Sequence, residues 1–347
     1  MFVLVNLILI LFSAAVLSAL RKPVRGGGRR FLSRTLTDST KGISAIMVVI
    51  SHTFSHGKFD SYAIGGKYTG RIIGTWGGLG VSIFFLLSGY GCWHSLRKLD
   101  SVKDKIIWLA QHVAKLLLYY LITFTTATLI RKFVYGVEDD VMADFIRLCI
   151  PGTTTWYIKI QILMYAFLVV SSLLPWRNTE GLFGMAVAYA VIAYFCGLTE
   201  FWWKTALCFP TGAVIAENKG VMELWLFNEK RKIAALSGIA LACLFWIALD
   251  KIILPAHLIA YVGFSVCVTL LACLLDYRSF AFEKLGRYSL SIYLSHIGIV
   301  CIPSIVWDIR GALTFIAIIC VLSVITEKLA AKLWALAPKN KLSAGAA

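Results

Sequence analysis

Blocks of apolar residues recur along the whole chain, each separated from the next by a short stretch that carries charge. Most approach the ~20 residues that a helix rising 1.5 Å per residue needs to cross a hydrocarbon core of about 30 Å. A chain patterned this way is expected to be all-α, a polytopic integral membrane helix bundle, because a helix satisfies its own backbone polar groups in lipid. Composition agrees with the pattern. Of the 347 residues, 59% are hydrophobic and only 15% charged, against about 25% charged in a soluble domain.

Lys and Arg outnumber Asp and Glu by 34 to 18, for a net charge of +16. The basic residues lie between the apolar blocks, so they read as anchors and orientation signals against membrane lipid. No nucleic-acid partner is expected. Cysteines such as Cys92, Cys196, Cys243, Cys267, Cys273, Cys301 and Cys320 lie inside apolar blocks, and no C-x-x-C pair occurs. They behave as small hydrophobes, and no metal site is expected.

Eleven spans are expected, at 2–20, 42–57, 76–94, 113–131, 156–174, 183–199, 204–217, 233–249, 254–275, 288–306 and 311–328. Residues 1–20 form an extra N-terminal transmembrane helix, with Arg21, Lys22 and Arg25 directly after it. Charge on that side is the reverse of a cleaved signal peptide and places the N-terminus outside. Residues 21–40 form a basic cytoplasmic linker, 41–330 the membrane domain, and 331–347 a cytoplasmic tail. With 21–41 inside, Arg97/Lys98, Lys230–Lys232 and Arg278/Lys284/Arg287 also fall inside, and the acidic Glu138, Asp139 and Asp140 fall outside. This is the arrangement of a multi-pass protein of the cytoplasmic membrane. The span 204–217 is short and contains Pro210 and Gly212, which suits a broken or re-entrant helix packed inside the protein.

Ionisable groups within spans are costly and point to function. Eleven residues separate Lys41 from His52, which is three helical turns plus about 20°, so the two share one face. The intervening rise of about 16 Å sets His52 near the bilayer midplane. Burial at that depth favours a neutral ring, a proton acceptor suited to general-base activation of a hydroxyl. His56 stands one turn higher on the same face. The alternative is a histidine hydrogen-bonded to a neighbouring helix for packing. Ser88, after Gly77, Gly78 and Gly80 in the next span, marks either a close ligand approach or ordinary small-residue packing. Ser289, Tyr293 and His296 share a face, and His296 falls near the depth of His52. The two histidines belong either to one polar cavity or to two separate packing sites. At the inner ends Lys41, Arg97, Lys98, His112, Lys115 and Arg287 form a basic collection suited to the phosphates of a nucleotide-bearing cofactor, although basic residues gather on that side in any case.

Taken in order, these segments resemble acyltransferase family 3, the membrane O-acyltransferases. Lys41-x10-His52 with Phe84-Phe85-Leu86-Leu87-Ser88-Gly89-Tyr90 is similar to the family's arginine-x10-histidine and FFxLSGF opening. Thr155-Trp156-Tyr157-Ile158 is similar to its W-F-L motif, the block from Leu285 to His296 to its L-G-x-x-S-Y-x-I-Y-L-x-H motif, and Ser323–Glu327 to its final helix. Two positions depart: Lys41 replaces an arginine, and His112-x-x-Lys115 stands where Arg-x-x-Arg is usual. Each exchange loses the planar guanidinium fork.

The resemblance implies a ten-helix core that takes an acyl group, commonly acetyl from acetyl-CoA or another acyl-CoA, at the cytoplasmic face. The group passes to a hydroxyl of a cell-envelope carbohydrate or lipid-linked glycan. It also implies the catalytic role for His52 with Lys41, a cavity including His56, Ser88, Trp156, Tyr293 and His296, and donor contacts from Arg97, Lys98, His112, Lys115 and Arg287. The competing reading is a transporter of a small polar or glycan substrate, suited by midplane histidines and a broken helix.

Overall fold

The computed structural model describes residues 31–57, 66–136, 156–174, 178–227, 232–248, 254–300 and 309–336, with a few isolated positions in the first sixteen. Apart from those positions, the expected first span and residues 21–30 of its linker lie outside the described residues, as do Glu138, Asp139 and Asp140; the rest of the linker is described, and Arg34 to Thr40 open the first helix. Among the described residues every regular element is helical. They are α1 (Arg34–Gly57), α2 (Lys67–Leu96), α3 (Val102–Tyr135), α4 (Trp156–Ser172), α5 (Asn178–Phe195), α6 (Cys208–Glu217), α7 (Lys219–Phe227), α8 (Lys232–Ala248), α9 (Leu254–Leu274), α10 (Phe280–Arg287), α11 (Ser289–Val300) and α12 (Ile309–Leu336). Four stretches are long and apolar enough to cross a membrane: Lys67–Leu96, Val102–Val134, Ala256–Leu274 and Thr314–Leu336. Trp156–Ser172 and Lys232–Ile247 are shorter apolar helices. The protein is therefore a multi-pass membrane bundle, although not all of the expected spans are long single helices.

Helix α2 is the hub. It packs on α1, α6, α9 and α4, and an unbroken run from Leu79 to Leu87 is buried. Continuous burial is what a helix that is apolar on every face achieves only at the centre of a bundle. Its tightest neighbour is α6. A Cβ added at Gly89 would lie 1.9 Å from the Phe209 carbonyl oxygen, and one at Gly212 would lie 1.9 Å from that of Leu86. Backbone meets backbone here, which only glycine permits.

The chain reaches α6 through a 3-10 turn, Glu200–Trp202, and the turn 203–207. From Trp203 to Pro210 every residue is buried. Irregular backbone within the bundle is thus covered by protein, and Lys204 is neutralised by Glu200 at 2.8 Å.

The amphipathic α10, capped by Ser279 accepting from the Phe282 N–H, lies across α1. Ser39 and Ser279 exchange hydrogen bonds there, and Phe282 is buried. This contact fixes the end of α1 that carries Lys41.

Candidate active site

Two helices supply the central pair of rings. The Lys41–His52 spacing survives intact on α1, which runs unbroken through both residues. Helix α11 packs against α1 and brings the His296 ring centroid to 4.9 Å from that of His52. His296 is fully buried, whereas His52 is half-buried although Ser51 and Thr53 on either side are buried. The lack of a Cβ at Gly77 leaves room for Ser51, whose Oγ would lie 3.0 Å from one, and the same point is at van der Waals distance, 3.8 Å, from His52 Nε2. Neighbouring Gly80 and Gly78 serve close packing, facing the Ser44 carbonyl and the Tyr261 hydroxyl.

The rings continue away from this pair. Tyr293 lies 5.1 Å from His296 and 4.6 Å from Tyr157, and Tyr157 lies 5.1 Å from Phe85. Trp156 packs on Tyr157 and on Phe201 at the rim farthest from Lys41, where Lys159 stands over Trp202 at 5.7 Å. His56 continues α1, but its side chain lies outside the described residues.

Towards the Lys41 end the chemistry changes from stacked rings to hydrogen bonds. Gln161 donates from Nε2 to Ser88 Oγ at 3.0 Å, and Ser88 lies 3.9 Å from the Cys92 sulfur. Tyr165, one turn beyond Gln161, interacts with both Ser88 and Gln161. Its ring also meets those of His112 at 5.6 Å and Trp108 at 5.9 Å. The His112 ring stacks on Trp108 with centroids 3.8 Å apart, and Trp108 donates to Ser95 Oγ. Lys41 and Ser88 are half-buried between buried neighbours on their helices, as expected of groups bordering internal space, and His112 and Tyr165 are half-buried as well.

The expected residues therefore divide. His52, His296 and Tyr293 form one contact group with Trp156 at its rim, and Ser88 lies one layer below. The basic collection is more dispersed. Arg97 covers the Trp93 ring at 5.4 Å, Lys98 and Lys115 are exposed, and Arg287 pairs with Glu283 of its own helix.

Gln161 and Tyr165 lie outside the motifs read from the sequence, and Tyr157 enters there only within the Thr155–Ile158 block. Their i, i+4, i+8 spacing puts them on one face of α4, and an amide in the middle of an apolar helix was the available signal. Glu327 is held by the Tyr119 hydroxyl at 2.8 Å and Ser291 Oγ at 2.9 Å. This joins α12 to α3 and to the helix that carries His296.

A group of this kind can move a proton. An imidazole half-open to internal space, with a second imidazole in contact, can accept a proton from a hydroxyl and release it again. Among the described residues no group of His, Cys, Asp and Glu has the arrangement of a metal site. A family model described as an acyltransferase domain matches residues 37–326, a range that includes every one of these groups except Glu327. No curated protein and no solved structure gives a significant match to the chain.

Proposed function

The chain belongs to the family defined by that acyltransferase domain, and from this premise we propose that it is a membrane O-acyltransferase. It would take an acyl group, acetyl in the first instance, from acyl-CoA and pass it to a hydroxyl of a cell-envelope carbohydrate or related acceptor. The observation that carries the reading is the contact of His52 with His296, centroids 4.9 Å apart, three helical turns from Lys41 on one face of α1.

In this mechanism His52 takes the proton of the acceptor hydroxyl as that oxygen attacks the thioester carbonyl. The new C–O bond forms, the C–S bond breaks, and the thiolate leaves towards the Lys41 end. The proton held by the imidazole is then returned to the thiolate. His296 and Tyr293 keep the His52 ring oriented, and the polar groups of α2 and α4 line the donor's approach. Lys41 and Lys115 meet the nucleotide phosphates, as single cations rather than bidentate forks, with His112 beside them held by its Nδ1–H to the Trp108 carbonyl oxygen. The excess of Lys and Arg at that end supports placing it on the cytoplasmic side.

The test is purified protein in liposomes with radiolabelled acetyl-CoA and an envelope glycan fraction. CoA release with label on the acceptor is expected. His52→Ala should slow it by roughly 10²–10⁴-fold while the protein stays monodisperse. Acyl transfer retained by that variant would remove His52 from the mechanism, and substrate movement without CoA consumption would favour transport instead.

A further inference from the structure

Gln161 is only 1% exposed, yet half of its amide is unused. Its Nε2 donates to Ser88 Oγ at 3.0 Å, while Oε1 accepts no hydrogen bond among the described residues. A buried amide carbonyl without a donor is costly and calls for an explanation. Its position supplies one. Tyr157 is one turn away on one side, in contact with Tyr293 of the histidine group. Tyr165 is one turn away on the other, in contact with His112. Ser88 and Tyr165, the side chains that meet this amide, are half-buried within the core of the bundle, so space adjoins it.

We propose that Gln161 is a donor-binding residue, whose Oε1 accepts an amide N–H from the linking arm of the acyl-CoA. The inference rests on the acyl-CoA reading above. An arm passing from the Lys41 end to His52 must run about 16 Å, and the secondary amides of a pantetheine chain carry N–H donors along that length. An aliphatic chain would leave the carbonyl unsatisfied. Ser88 and Tyr165 beside it hold the amide in one orientation, with its nitrogen committed and its oxygen free.

The experiment compares donors with and without amides in wild type and in Gln161→Met, a variant of similar volume. With S-acetylpantetheine and acetyl-CoA the variant should raise KM about tenfold, which corresponds to about 1.4 kcal/mol. With S-butyl thioacetate, which has no N–H, the two proteins should match within about twofold. Inhibition by 3′,5′-ADP, which has no arm, should be unchanged. Equal losses with all three donors would mean a structural role and overturn the inference. Unchanged KM with every donor would overturn it as well. Wild type that neither consumes acetyl-CoA nor binds 3′,5′-ADP would overturn the inference together with the acyl-CoA reading, and only that result reaches the latter.

Discussion

The histidine layer and the amide layer below it are built from different physics. Around His52, side chains meet ring to ring: His296, Tyr293, Tyr157 and Phe85 follow one another at centroid separations of 4.6 to 5.1 Å. Around Gln161 the contacts are directional, from amide to serine hydroxyl and on to Cys92 and Tyr165. Ring packing tolerates small shifts. Hydrogen bonds fix an orientation and suit recognition of a polar ligand. Under the proposed mechanism this difference is a division of labour, with chemistry at the upper layer and donor alignment at the lower one.

Four substitutions break or sharpen this contrast, beginning with the largest effect. Gly89→Val should destroy both layers together, because its side chain would enter the Phe209 backbone. A loss of about 3 kcal/mol or more is expected, read as little monodisperse protein and a lowered unfolding midpoint. His52→Ala should separate the layers. Transfer should fall by roughly 10²–10⁴-fold, the usual contribution of a general base, with 3′,5′-ADP inhibition intact. Lys41→Ala should do the reverse and raise KM for acetyl-CoA by about tenfold, the scale of a charge-assisted contact, with Lys41→Arg recovering most of the loss. Tyr119→Phe should spare both layers. It removes one hydrogen bond to Glu327 and should cost about 1 kcal/mol of stability in a thermal melt with KM nearly unchanged.

The upper layer was legible in the sequence and the lower one was not. Depth along a helix follows from counting, so the distance from Lys41 to His52 can be read from the sequence alone. His296 at a matching depth was available by the same count. Pro210 and Gly212 similarly announced the broken segment before α6. Rotation about the helix axis is a different matter. Helix α4 is apolar nearly all round, so its polarity pattern does not say which face turns inward. Gln161 and Tyr165 therefore became visible only once α2 was in place beside them. The pairing of Arg287 with Glu283 was hidden for a related reason, since charge counting locates basic residues without showing which are already engaged. The short α10 that carries both lies between the expected spans 254–275 and 288–306, where charge alone suggests only a cytoplasmic connection.

A double-substitution cycle on His52 and His296 tests the central claim most directly. Acyl-transfer rates would be compared for wild type, His52→Ala, His296→Ala and the pair together, in one liposome preparation. If the two rings form a single proton-handling unit, the double variant should be no slower than the worse single variant. Losses that multiply, or substantial transfer without His52, would contradict it.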